Sequence, residues 1–203
     1  MARLAREFFA RDTLTVARDL LGRVLVRLLD GQRLSGRIVE VEAYIGKDDL
    51  ASHARCGRTE RNAAMFGPPG HAYVYFIYGV HHCLNLVTER EGFPAAVLLR
   101  ALQPLEGIER MRALRGGLPD HQLTSGPGRL CQALALDRQF DRADLCAPDS
   151  LLFVEEGRPV DDANVVVGPR IGVRGDLAAI SAPWRFLVRV NGENARPSQS
   201  ARR

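Results

Sequence analysis

Val24-Leu25-Val26-Arg27-Leu28-Leu29-Asp30-Gly31-Gln32-Arg33-Leu34-Ser35-Gly36-Arg37-Ile38-Val39-Glu40-Val41-Glu42-Ala43-Tyr44 decides how this chain folds. Val24, Val26 and Leu28 alternate with Arg23, Leu25 and Arg27, which reads as a strand. Asp30-Gly31 is a strong hairpin signal, because glycine reaches positive φ without a steric cost. The chain is expected to return over residues 34–44 as the antiparallel partner. Upstream, Asp12-Thr13 offers an N-cap, and Leu14, Ala17, Leu20 and Leu21 repeat at helical spacing until Gly22 closes the helix.

Downstream, residues 71–88 read as a second strand-rich block broken at Tyr78-Gly79, and residues 95–102 as a buried strand. Pro104 suits the first turn of a helix carrying Leu105, Ile108 and Met111. Ser125-Gly126-Pro127-Gly128 opens another helix through Leu130 and Leu134. Further strands are expected at residues 151–154, 165–167 and 184–188. Strands joined by hairpins with few intervening helices predict an α+β fold: a single domain, mostly antiparallel sheet with surrounding helices. That domain is placed at residues 1–190, and the polar, Arg-ended residues 191–203 are expected to form a flexible tail.

The chain has 203 residues, 46% of them hydrophobic, enough for one domain with a real core. No apolar run is long enough to cross a bilayer, and no apolar block follows Met1-Ala2-Arg3-Leu4-Ala5-Arg6-Glu7. An intracellular protein is expected, cytoplasmic and nucleoid-associated in a bacterium or nuclear in a eukaryote. The net charge of +4 favours a polyanionic partner, and every cation except Lys47 is arginine, whose planar fork suits phosphate. Codon bias toward GC accounts for most of that skew. Cys56, Cys83, Cys131 and Cys146 form no C-x-x-C pair, so reduced thiols are expected.

Strand alternation puts Glu40, Glu42 and Tyr44 on one face, opposite Val39, Val41 and Ala43. A carboxyl facing a core is costly unless it is paired or has a task, and desolvation raises its pKa toward that of a useful base. For this segment by itself, ordinary surface acids on a solvated strand face are the favoured reading. All four tyrosines stand at Tyr44, Tyr73, Tyr75 and Tyr78. Tyr73 and Tyr75 share a face and could stack a base, and Tyr78 beside Gly79 presents a ring at a hairpin tip, where it could fill the gap left by a flipped nucleotide. An aromatic-rich core strand explains Tyr73 as well. His81 and His82 point to opposite strand faces and are poorly placed to share an ion, so no metal or other cofactor is expected. Arg129, in the first turn of the Ser-Gly-Pro-Gly helix, makes electrostatic sense if an anion sits beside it.

Together, Leu20-Leu21-Gly22-Arg23-Val24-Leu25-Val26, Gly36 to Tyr44, Ala72-Tyr73-Val74-Tyr75-Phe76-Ile77-Tyr78-Gly79, residues 97–107, residues 125–134 and Pro169-Arg170-Ile171-Gly172-Val173 resemble the alkyladenine DNA glycosylase family, the mammalian type of 3-methyladenine DNA glycosylase. The resemblance spans roughly residues 4–188. It implies a base-excision-repair enzyme that flips alkylated or deaminated purines from double-stranded DNA and hydrolyses their N-glycosidic bond. It implies Glu42 as the general base, Arg100 beside the attacking water, and Tyr44, His53 and Tyr75 as walls of the base pocket. It implies Asn85 as the residue that crowds the amino group of normal guanine, and Tyr78 as the intercalating ring. Val80, His81, Arg129, Ile171 and Gly172 are implied to contact DNA. Val80 stands where the family often has a longer apolar chain, and His81 where it has an aromatic. No lysine falls in these motifs, so a water nucleophile without a lyase step is expected, from a monomer. Two rival readings are a non-catalytic nucleic-acid-binding module and a carbohydrate hydrolase using Glu40 and Glu42 as its acid pair.

Overall fold

The computed structural model describes residues 1–189. The expected tail at 191–203, with residue 190, lies outside the described residues. Helices α1 (Arg6–Phe9) and α2 (Thr13–Leu20) precede the hairpin of β1 (Val24–Leu29) and β2 (Gln32–Ile45). A second hairpin pairs β3 (Ala72–Ile77) with β4 (His81–Val87), and β5 (Ala95–Glu106) follows. Then come α3 (Ile108–Leu114), α4 (Asp120–Leu123), α5 (Pro127–Ala133), β6 (Leu152–Glu155), β7 (Val165–Gly168), α6 (Leu177–Ser181) and β8 (Arg185–Val188). The strands form one eight-stranded sheet in the order β3-β4-β5-β2-β1-β6, with β8 beside β2 and β7 beside β8. The strand pairs are antiparallel. The α+β expectation therefore holds. No helix of the described residues is long and apolar enough to cross a membrane.

Local chemistry explains most of the boundaries. The Asp12 side chain accepts from the Thr15 amide and caps α2. Asp30 and Gly31 both take positive φ, 51° and 76°, as a tight hairpin of this hand requires. Tyr78 and Gly79 do the same at 55° and 69°. Pro104 departs from expectation: it lies inside β5, opposite Gly36, and the helix starts only at Ile108 after Gly107. β4 pairs with β5 only at residues 96–98, so at Pro104 β5 has β2 as its strand partner on one edge, a position where proline is tolerated.

The sheet buries both faces. On one side Val16, Ala17 and Leu20 of α2 and Leu130 and Cys131 of α5 pack with Leu34, Ile38, Val41, Val74, Leu84 and Leu99. On the other, Ala54, Ala64, Met65 and Phe66, from the long connection between β2 and β3, pack with Tyr73, Val87 and Ala96. Ile38 and Val41 join the same core cluster although they are three residues apart, and so do Leu99 and Leu102. Strict alternation forbids this within one strand. A paired irregularity reconciles them: the register skips Val39 on β2 and Arg100 on β5. Such bulges re-aim side chains, and this one delivers Arg100 to the face that carries Glu42.

Candidate active site

Glu42 has no exposed side-chain surface. Its Oε2 accepts from Arg100 Nη1 at 3.1 Å and from the Tyr44 hydroxyl at 2.9 Å, and its Oε1 accepts from the Ile171 amide at 2.7 Å. Glu40 is equally buried, and its Oε1 accepts from Arg100 Nε at 3.1 Å and Arg185 Nη1 at 3.0 Å. The two carboxylates therefore share one guanidinium. The acids are not solvated surface groups, which overturns the reading that the strand pattern by itself favoured.

Burial pushes the Glu42 carboxyl above its ordinary value, and Glu40 adds to the rise; the Arg100 charge, the Ile171 amide and the Tyr44 hydroxyl pull it back. The Tyr44 phenol is held well above its usual range by burial and by Glu42, so it stays neutral and keeps a proton to donate.

Tyr44 opens onto a cavity of about 370 Å³, lined among others by His53, Tyr73, Tyr75, Asn85 and Gly172. That volume falls within the range of small-ligand sites. Tyr75 meets the His53 ring edge-to-face at 4.6 Å, and Tyr73 lies 5.3 Å from Tyr75. The Tyr73 hydroxyl is 2.9 Å from His53 Nδ1 and fixes that ring. Asn85 donates to the Tyr73 carbonyl at 3.1 Å. Burial, then Arg61 and Arg55, lowers the His53 pKa, which leaves a neutral imidazole in the cavity wall. Sequence reasoning left Tyr73 between a stacking platform and a core residue; here it is buried in the core, lines the cavity and is the partner that orients His53.

The β3–β4 hairpin carries Tyr75 into the cavity wall and Tyr78 to its tip, where Tyr78 is 82% exposed. Val80 is exposed beside it. His81 packs on Gly128 of α5, close enough that an added Cβ there would lie 2.8 Å from the imidazole, while His82 turns toward Phe76. Arg129 is exposed and donates to the Ser125 hydroxyl at 3.0 Å. The structure thus brings Glu42, Arg100, Tyr44, His53, Tyr75, Asn85, Ile171 and Gly172 to one region. Tyr78, Val80, His81 and Arg129 lie on the hairpin and on the neighbouring helix start.

Sequence reasoning missed Asp49 and Arg170. Arg170 stood in a quoted motif without a role, and its partner lies 121 residues away, which no local pattern signals.

Comparison with known proteins places the chain in a family. The Methylpurine-DNA glycosylase (MPG) family profile matches residues 7–192. A relative from Methanocella arvoryzae is 54% identical over 186 residues, 90% of each chain. One from Anaeromyxobacter dehalogenans strain 2CP-1 is 52% identical over 200 residues, 98% of this chain and 88% of its own. One from Streptomyces avermitilis is 52% identical over 187 residues, 91% and 87%. All three are named provisionally as 3-methyladenine DNA glycosylases. With a profile covering nearly the whole chain and relatives above half identity, the chain belongs to the methylpurine-DNA glycosylase family, the DNA-repair glycosylases of alkylated purines.

Proposed function

We propose that this protein rotates a damaged purine, alkylated or deaminated, out of duplex DNA into the tyrosine-lined cavity and hydrolyses its N-glycosidic bond with water as the nucleophile. The observation that carries the reading is a fully buried carboxylate, Glu42, joined through the Tyr44 hydroxyl to the wall of an aromatic cavity. Glu42 takes a proton from water as the oxygen bonds to C1′ of the sugar, and the electrons of the breaking C1′–N bond pass to the purine. A cationic alkylpurine leaves neutral, so it needs little further help. The same carboxylate stabilises positive charge growing on the sugar.

The cavity walls suit this leaving group. Neutral tyrosine rings attract a cationic base through their π faces, and a neutral His53 adds no repulsion. Asn85 crowds the exocyclic amino group of normal guanine. Tyr78 enters the space that the flipped nucleotide vacates, and Val80, His81, Arg129, Ile171 and Gly172 line the DNA around it. Arg100 supports the base, donating through Nε to Glu40 and through Nη1 to Glu42. Glu40 is held by two arginines, a poor arrangement for the second acid of a sugar hydrolase.

A single-turnover assay on a duplex with one N7-methylguanine tests the reading. The expected products are free base and an abasic strand that stays intact until alkali cuts it. Binding without base release would reduce the protein to a recognition module. A nicked strand, or a borohydride-trapped adduct, would replace water with a lysine or terminal amine.

A further inference from the structure

We propose that Arg170 and Asp49 form a buried positioning unit that holds the Ile171 amide on Glu42 and braces the Tyr44 ring from behind. The inference rests on the reading of Glu42 as the base. Both side chains are wholly inaccessible. Arg170 Nη1 and Nη2 donate to Asp49 Oδ2 and Oδ1 at 2.6 and 2.8 Å, a bidentate fork. The same nitrogens donate to the carbonyls of Ala43, at 2.9 Å, and Ala179, at 3.0 Å. The guanidinium also lies 4.7 Å from the Tyr44 ring centre and 4.9 Å from that of Trp184.

The contacts to Ala43, Tyr44 and Asp49 end on segments that carry a working group. Ala43 stands between Glu42 and Tyr44 on β2. Ile171, the next residue, gives its amide to Glu42, and Gly172 and Val173 beyond it line the cavity. Asp49 also accepts from the Ile45 and Ala51 amides, which fixes the segment leading to Ser52 and His53. One ion pair thereby sets the mutual placement of the base, its backbone donor and two cavity walls.

Stability alone explains the pair poorly. Desolvating two charges offsets most of their attraction, and apolar replacements of similar volume are often no less stable. What an apolar pair lacks is the fork: five donors in one plane, four contacts in fixed directions, and two flat faces for aromatic rings.

The test is Arg170→Lys, which keeps the charge and loses the fork, with Asp49→Asn as the second variant. The groups that face Glu42 are Arg100 on β5, Glu40 and Tyr44 on β2, and Cys83 on β4, with Arg185 on β8 behind Glu40. Of these, Arg170 meets Tyr44, through its ring face, and both substitutions leave the other side chains in place. Losing the Ile171 donor destabilises the carboxylate, so the acid limb of the single-turnover pH–rate profile moves to higher pH. The plateau rate falls about 10- to 100-fold, as for a misplaced catalytic group. In ¹⁵N-labelled protein, the Ile171 amide proton moves upfield and exchanges faster with solvent. A variant that is merely less folded shows neither the moved limb nor the moved resonance. A folded Arg170→Lys protein with both unchanged overturns the proposal. If neither variant folds, the wild-type protein decides: an Ile171 amide that is protected and titrates with the acid limb supports it, and one that exchanges freely overturns it. A Glu42→Gln protein that still excises would remove the base assignment while leaving this amide measurement intact, so the two failures are distinct.

Discussion

At the scale of the residue, the proposed chemistry depends on a balance around one carboxyl. Glu42 is pushed up by burial and held back by Arg100, the Ile171 amide and Tyr44. A base works only when ionised, so excision should rise with pH through the Glu42 pKa. Because the folded protein raises that pKa, activity should fail on acidification at a higher pH than the ordinary value of about 4.3 would give. Arg100→Met should move the acid limb further up, because it removes the nearest positive charge. It should also cost about 3–5 kcal/mol of stability, as breaking a buried ion cluster usually does. A pH series under single-turnover conditions and a denaturant melt read the two effects separately. An acid limb left in place by Arg100→Met would mean that another group controls it. Glu42 and Tyr44 were legible as a pair in the sequence because two-residue alternation puts them on one face. Whether that face was wet or dry was not legible, since Ala54, Met65 and Phe66, which help to cover it, come from the following connection.

At the scale of the element, the β3–β4 hairpin is shaped for something other than its own stability. Tyr78 holds φ of 55°, where a bulky side chain is strained by roughly 1–2 kcal/mol. Tyr78→Gly should therefore keep or raise the melting temperature while weakening binding to a lesion duplex. A stability loss with unchanged binding would show the ring to be structural. The hairpin is seated by His81 on Gly128. Gly128 does not have positive φ, so Gly128→Ala strains no backbone and acts only by moving His81. About tenfold weaker lesion binding, or roughly 1.4 kcal/mol, is expected by fluorescence anisotropy with little change in melting. Both turns were readable from Asp30-Gly31 and Tyr78-Gly79, because turn chemistry is local. Pro104 was misread for the same reason: its local preference suits a helix start, but the ladder with Gly36 decides the matter. The bulge at Val39 and Arg100 was also invisible, since it arises only when two strands pair.

At the scale of the whole molecule, the sheet separates two tasks. One face takes α2 and α5 and supplies the apolar core, while the other carries the acids, tyrosines and Asn85 under the connection between β2 and β3. The register irregularity lets β2 and β5 serve both, because it shifts the core side by one residue just where Arg100 is needed. The antiparallel α+β layout was legible from hairpins and spacing. The ion pair of Arg170 and Asp49 was not, because long-range pairing leaves no periodic trace. The central claim is that the buried acid at the meeting of these strands drives base release. Single-turnover excision by Glu42→Gln, measured beside its affinity for the same methylated duplex, tests it most directly. Affinity should persist while the rate falls by about 10²–10⁴-fold, the usual contribution of a general base; excision at a near-wild-type rate would contradict the account.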